Sequence, residues 1–187
     1  MTHPAGPDAE AVFVRAAAQG DAAAWRSLLE GNSERVARYV RWRCTGLPDL
    51  AADAIQQTWL EAVKSLGRFD PARGSFSDWV GGIVRRVVPA ELRKRRRDRR
   101  HQRSLSGLPE PSTPSARSTE EAEAVARALA ELTEEHEAVL RAKYLEAQSV
   151  LTIAEATGLT PKAVESRLTR ARESFRQAYL RQQGDEA

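Results

Sequence analysis

The sequence predicts an all-α protein built as two small helical domains joined by a flexible linker, and three observations carry that expectation. Strand signals are missing: no run of alternating β-branched residues occurs, while Ala, Leu, Arg and Glu dominate the 187 residues. Apolar residues recur instead at three- and four-residue spacing, in a chain 41% hydrophobic and 29% charged, which is enough for a core and too periodic for a disordered chain. The periodicity lapses over "HQRSLSGLPEPSTPSARST", His101 to Thr119, where three prolines and five serines accompany only two leucines. Such a stretch cannot bury enough apolar surface to order itself, so 101–119 reads as a linker.

The elements follow in order. After a tail over 1–11, "AEAVFVRAAAQGD" reads as a helix closed by Gly20, with Asp21 placed to cap the next one, "AAAWRSLLEGN". A separate helix, "SERVARYVRWRC", carries Val36, Val40 and Cys44 four apart and ends before Gly46 and Pro48. Asp49 can then cap "LAADAIQQTWLEAVKSL", whose apolar stripe is Ile55, Trp59, Ala62, Val63 and Leu66. Beyond the turn "FDPARG", Ser75 and Asp78 give a box-like start to a helix with Phe76, Trp79, Val80, Ile83, Val87 and Leu92 on one stripe. Pro89 falls inside this pattern, so a kink or break is expected near Val88. The first domain closes at about Arg100, the second occupies 120–182, and 183–187 form a tail.

Charge is segregated. The formal net charge is only +3, yet Arg93 to Arg103 carries a net +7 and Glu120 to Glu146 a net −5. Local fields of that kind, and not the total, set which partners a surface takes. No apolar run reaches about 18 residues and the start "MTHPAGPDAE" lacks a basic then apolar leader, so the expected compartment is the cytoplasm, without membrane insertion. The single Cys44 cannot form an internal disulfide and reads as a small core residue. His3, His101 and His136 are isolated, and Gly81 and Gly82 lie on a helical stripe with no following Lys-Ser or Lys-Thr, so neither a metal site, a cofactor cradle nor an enzyme is expected.

The second domain contains a specific grammar. In "SVLTIAEATGLTPKAVESRLTRARESF", Ile153 and Ala154 point inward from a short helix that stops at Gly158, Leu159 packs the turn, Thr160 is placed as an N-cap, and Pro161 takes the first helical position. Val164, Leu168, Ala171 and Phe175 then repeat at four, three and four. This is a helix-turn-helix pattern, whose second helix would read bases near its N-terminus and hold phosphates with the basic residues around them. Thr160, Lys162, Ala163, Ser166 and Arg167 are the reading and docking candidates, with Arg170 and Arg172 beside them. The competing reading is a merely solvated basic face; the Gly158 turn and the Pro161 cap argue against it.

On the helix from Leu50, the face opposite the expected stripe shows Asp53, Gln56, Gln57, Glu61 and Lys64, a pattern that a solvated surface would also show. At this point four stretches together resemble a family, the sigma-70 factors of bacterial RNA polymerase in their two-domain extracytoplasmic-function (ECF) branch. They are "QGDAAAW", "DAIQQTWLEAV", "FSDWVGGIVRRVV" with the Arg run after it, and "SVLTIAEATGLTPKAVESRLTRAR", within about Val12 to Arg100 and Glu121 to Leu180.

The resemblance implies a region 2-like domain over 12–100 that binds core polymerase and the minus-ten element, and a region 4-like domain over 120–182 that reads the minus-thirty-five element. It implies core-polymerase contacts at Asp53, Gln56, Gln57, Leu60 and Glu61, with Trp59 in support. Minus-ten DNA is implied at Arg85, Arg86, Arg93, Lys94, Arg95, Arg96 and Arg97, with a pocket for extruded bases near the loop after Leu66. Minus-thirty-five DNA is implied at Thr160, Lys162, Ala163, Ser166, Arg167, Arg170 and Arg172. The sequence departs from the family at Gln57, where Glu is usual, at Arg86 and Ala90, where Asn and Asp are frequent, and at Thr152 and Glu137, where Glu and Arg are customary.

The function implied is a transcription initiation factor, with core RNA polymerase and promoter DNA as partners and no chemistry or cofactor of its own. A linker of this length spans roughly 25 Å as a coil, so polymerase can fix two weak readers into one composite reader. Sequestration by an anti-sigma partner is also implied, though no stretch of sequence marks one; modification of Thr58 or of the linker serines is an alternative control. The rival to this reading is an autonomous helix-turn-helix transcriptional regulator that works without polymerase, or an adaptor using only the first domain.

Overall fold

The structure, a computed structural model, describes residues 7–106 and 114–184. All regular structure among the described residues is helical, and the chain divides after Ser106 into two compact units.

In the first unit, α1 (Pro7–Ala18) is closed by Gly20 in the left-handed region at φ +95°. Asp21 then caps α2 (Ala22–Arg43), its Oδ1 accepting from the backbone of Ala23 at 2.8 Å and Ala24 at 3.1 Å. Sequence grammar divides α2 into two helices at Gly31, Asn32 and Ser33; the structure corrects this to one 22-residue helix. Asn32 is buried and its Nδ2 donates to the carbonyl of Leu28 at 2.8 Å, so the side chain that favours a break is satisfied within the helix.

The next helix, α3 (Pro48–Ser65), starts one residue before the expected cap: Leu47 is the N-cap, Pro48 takes the first helical position, and Asp49 lies in the first turn. Its buried stripe is Leu50, Ala51, Ala54, Thr58 and Ala62, continuing to Leu66. The expected stripe through Ile55, Trp59 and Val63 is therefore rotated toward solvent. Three alanines let the neighbouring helix approach closely, and that close packing outweighs the larger residues' preference for burial. Thr58 is 0% exposed, which removes it as an accessible modification site.

Two short 3-10 turns, Leu66–Arg68 and Pro71–Arg73, lead into α4 (Phe76–Ser106). Ser75 caps it as expected: its Oγ accepts from the Asp78 backbone at 3.1 Å and donates to the Asp78 carboxylate at 2.6 Å. Phe69, Phe76 and Trp79 cluster over this turn with ring centroids 5.5 to 5.9 Å apart. No break occurs at Pro89, which lies within a continuous helix. Ile83, Val84, Val87, Val88 and Leu92 flank it and are all buried, and their combined burial exceeds the roughly 3 kcal/mol that an interior proline costs.

Helix α4 also continues through His101 to Ser106, where composition predicts linker, and helix resumes at Pro114; residues 107–113 lie outside the described residues. Within the run Glu91 pairs with Lys94 at 3.6 Å, one turn along the helix.

The second unit comprises α5 (Pro114–Glu131), α6 (Glu134–Leu140) with a π turn over Arg141–Leu145, α7 (Val150–Thr157) and α8 (Pro161–Gly184). Ala124, Ala128, Leu129, Leu140, Ile153, Val164, Leu168, Ala171 and Ala178 form its core. Polar pins tie α5 to α8: Arg127 Nε donates to Gln182 Oε1 at 2.7 Å, and Arg181 pairs with Glu131 at 2.8 Å. The tail expected from 183 is helical through Gly184.

Candidate polymerase and nucleic-acid interfaces

Rotation of the α3 stripe changes the character of the opposite face. Asp53, Gln56 and Leu60 are exposed there, Gln57 and Glu61 are half-buried beside them, and Val63 joins the patch. Leu60 is 47% exposed and Val63 53%. The structure thus brings all five expected polymerase residues to one side of one helix. It adds Val63, which sequence periodicity places in the core. Glu61 is already engaged along the helix, accepting from Gln57 Nε2 at 3.1 Å and from Lys64 Nζ at 3.2 Å. Trp59 is half-buried and meets Trp25 edge-on, with centroids 6.2 Å apart, so it buttresses the patch from inside.

The cationic run divides by helical phase. Arg86, Arg93, Arg97 and Arg100 are exposed and, at 100° per residue, fall within about 60° of one another. Arg85 and Arg96 are half-buried at the margin of this stripe. Arg95 and Arg99 are half-buried and point roughly the other way, and the exposed Lys94 lies at the margin between the two sides. All three line a cleft of about 280 Å³ together with Glu91, Asp98 and Gln102 of α4 and Leu50 and Asp53 of α3. Two expected minus-ten residues, Lys94 and Arg95, therefore stand with an expected polymerase residue, Asp53, and apart from the other five.

The loop between α3 and α4 is tied down by a residue that no sequence pattern singles out. Glu10 of α1 accepts a hydrogen bond from the Phe76 backbone N–H, satisfying one of the free donors at the start of α4. A contact between residues 66 positions apart leaves no local signal. Cys44 is buried as expected, and burial pushes its thiol up to about 11.

In the second unit the helix-turn-helix grammar appears in its parts. Ser149 caps α7, accepting from Thr152 N at 3.0 Å, and Thr152 Oγ1 lies 2.8 Å from the Ser149 hydroxyl, so threonine fills the reciprocal position where Glu is customary. Gly158 adopts φ +67°, the left-handed C-cap that glycine tolerates best. Thr160 Oγ1 accepts from Ala163 N at 3.2 Å, and Pro161 opens α8.

The outward face of α8 presents Lys162, Ser166 and Arg170, with Ala163 half-buried beside them. Arg167 lies at its edge, 3.6 Å from Glu135 at the start of α6. Arg172 is on the other flank: its Nε donates to the Tyr144 hydroxyl at 2.8 Å, and its guanidinium lies 5.8 Å from that ring centroid. The structure thus separates Arg172 from the other six candidates by helical phase. Glu173 shares the outward face, and hydrogen bonds from Gln177 and then Arg176 hold its carboxyl below the usual range. Glu135 and Tyr144, which occupy two of these arginines, are contacts between distant parts of the chain that helix grammar does not reveal.

Among the described residues, no group of three or more His, Cys, Asp or Glu side chains is arranged to hold a metal ion. No helix there is long and apolar enough to cross a membrane.

Comparison with known proteins places both units. Residues 28–98 match the model of sigma-70 region 2, and residues 122–175 match that of sigma-70 region 4. A curated relative, the ECF RNA polymerase sigma factor SigL of Mycobacterium tuberculosis, is 31% identical over 157 residues, which is 83% of this chain and 88% of the relative, in strains Erdman, CDC 1551 and H37Rv alike. Among solved structures, CnrH in complex with the cytosolic domain of CnrY aligns with 89% of this chain and 94% of its own, at 25% identity and TM-score 0.49. The RsbN–BldN complex aligns with 88% and 97%, at 21% identity and TM-score 0.38.

The chain belongs to the sigma-70 family, in the branch of the ECF RNA polymerase sigma factors. It is a promoter-directing initiation factor, with core RNA polymerase and promoter DNA as its partners. A region 2 unit over 28–98 is what a self-sufficient helix-turn-helix regulator lacks, so that rival reading is not favoured.

Proposed function

We propose that three faces of this sigma factor divide the work. The outer face of α3, with Asp53, Gln56, Gln57, Leu60, Glu61 and Val63, docks core polymerase. The outer stripe of α4, with Arg85, Arg86, Arg93, Arg96 and Arg97, holds the phosphates of the opened minus-ten strand. The outward face of α8, with Thr160, Lys162, Ala163, Ser166, Arg167 and Arg170, reads the minus-thirty-five element. Polymerase supplies the catalysis, the chain acts in the cytoplasm, and an anti-sigma partner would cover the apolar patch of α3 when polymerase is absent. Region 2-like and region 4-like domains over 12–100 and 120–182 belong to the same proposal.

Physically the division is economical. Stacking costs about 1.4 kcal/mol per step to open, so a melted element has to be trapped by binding the exposed strand. A run of arginines supplies the phosphate term without reading bases. Sequence choice then rests on a helix whose N-terminal residues reach base edges.

The observation that carries the assignment is the geometry of α7 and α8. The left-handed Gly158 and the Thr160 cap end one helix and start the next, so that Lys162, Ser166 and Arg170 face outward together. The test is selection by the reconstituted holoenzyme from promoters randomised over the upstream element. Lys162→Ala and Ser166→Ala are expected to change base preference at defined positions. A uniform loss over all library members, with preference unchanged, would show that these residues only hold phosphates.

A further inference from the structure

The basic run of α4 is one stretch of sequence but two surfaces. Arg86, Arg93, Arg97 and Arg100 form an exposed stripe, at offsets of seven, four and three, that contains no carboxylate. Glu91, Arg95, Asp98 and Gln102 form a second stripe, at offsets of four, three and four, on the opposite side of the helix. Lys94 and Arg99 flank this second stripe, and Asp53 of α3 faces it across the cleft. The cleft holds three cations and three carboxylates, so it is balanced, whereas the outer stripe is all positive. Glu91 is only 15% exposed in its side chain and lies 3.6 Å from Lys94 Nζ. Arg95 and Arg99 are half-buried, in contrast to the exposed Arg93 and Arg97.

This arrangement matters because a phosphate contact strengthens binding by releasing counterions from DNA, and the cation that makes it has to be free to turn outward. Cations set among carboxylates in a cleft already have their counter-charges, and leaving would strand Glu91, whose side chain is only 15% exposed, without them. We propose that Arg95 and Arg99 are positioning residues of the α3–α4 seam and not DNA contacts: they bridge the far end of α4 to Asp53, and so set the polymerase-docking face of α3 from the DNA-holding helix. The inference rests on the assignment of the α3 face to polymerase and of the α4 outer stripe to DNA. It divides the basic run by what each residue faces, which neither its composition nor its spacing in sequence reveals. A load on the outer stripe of α4 reaches the docking face through paired charges across one cleft, so polymerase affinity and promoter affinity share residues that touch neither partner.

The test uses holoenzyme reconstituted from core polymerase and the full chain, with promoter affinity measured over a range of salt concentrations. Arg93→Gln and Arg97→Gln are each expected to flatten the salt slope by about 0.7 to 0.9, while Arg95→Gln and Arg99→Gln leave it unchanged. A double-mutant cycle then reads the seam directly: Arg95→Gln is expected to weaken binding to core polymerase about three- to tenfold in the wild-type chain and to have no effect when Asp53→Asn is present. Thermal unfolding of each variant is followed in parallel, so that a general loss of fold, which would lower both readouts together, is recognised. A slope flattened by Arg95→Gln as much as by Arg97→Gln overturns the inference, and so does an equal loss of core affinity in both Asp53 backgrounds. Should Arg93→Gln and Arg97→Gln also leave the slope untouched, the assignment of the outer stripe to DNA fails, while the cycle still decides the role of Arg95.

Discussion

Replacing Leu60 and Val63 together by alanine removes the apolar content of the α3 outer face and leaves its polar groups in place. Complete burial of a Leu or Val side chain contributes about 1.5–3 kcal/mol, and about half of each is still in water in the free chain. Each therefore offers a docking partner about 1 kcal/mol, and the pair about 2 kcal/mol, which corresponds to roughly a 30-fold rise in the Kd for core polymerase. The fold should not register the change. Both side chains are largely outside the core and alanine favours helix, so stability should stay within about 0.5 kcal/mol of wild type. The assay is a fluorescence-anisotropy titration of the labelled full chain with core polymerase, beside a thermal melt. A Kd within about twofold of wild type, with an unchanged melt, would refute the assignment of this face to polymerase.

Three other outcomes follow from particular contacts. Thr58 is fully buried and its hydroxyl has no hydrogen-bond partner, so Thr58→Val is expected to stabilise the first unit by about 1–2 kcal/mol, or roughly 5–15 °C in Tm; a lower Tm would mean that the hydroxyl is satisfied. Glu135→Gln frees Arg167 from its partner 3.6 Å away, and because such a surface pair is worth at most about 1 kcal/mol, holoenzyme affinity should rise up to about fivefold across sequences; an unchanged or weaker affinity would show that the pair does not compete with DNA. For Cys44, a thiol titrating near 9.0 when unfolded and at about 11 when folded keeps its proton longer in the native state, so its stabilisation is complete below pH 9 and is lost as pH rises through 11. Chemical unfolding from pH 8 to 11 should show a loss on the order of 2 kcal/mol that Cys44→Ala lacks, and parallel profiles would contradict the burial argument.

Local chemistry was legible in the sequence wherever one residue settles one terminus. Asp21, Ser75, Gly158 and Pro161 stand where their capping and turn preferences put them, because each acts on backbone groups within a few positions. Competition between local preference and packing was not legible. Asn32 favours a helix end, yet its amide finds the Leu28 carbonyl and α2 runs on. The α3 stripe reads correctly as helical but with the wrong phase, since small residues at 51, 54 and 62 win the interior by allowing close approach. That single rotation brings Val63 to the surface and changes the candidate polymerase face from polar to mixed.

The basic run shows the same limit. Composition registers its charge, but only the packing of α4 against α3 shows that Lys94, Arg95 and Arg99 share a cleft with Asp53. Glu10, Tyr144 and Glu135 were invisible for a related reason, because each acts on a residue far away in sequence. In the second unit the sequence pattern anticipated the helix-turn-helix geometry, and six of its seven candidates lie on one side of α8 or at its start. Arg172 is the exception: it belongs by spacing to the Arg-Ala-Arg ending, and by geometry to the flank that packs on Tyr144.

The most direct test of the central claim is run-off transcription by purified core polymerase on a library of promoter sequences, with and without the full chain. The division of labour among α3, α4 and α8 predicts defined start sites that appear only when the chain is added and that vanish on unit-wise disruption of either reader. Sequence-specific duplex binding by the chain alone, with no start site directed on any promoter when polymerase is present, would contradict it.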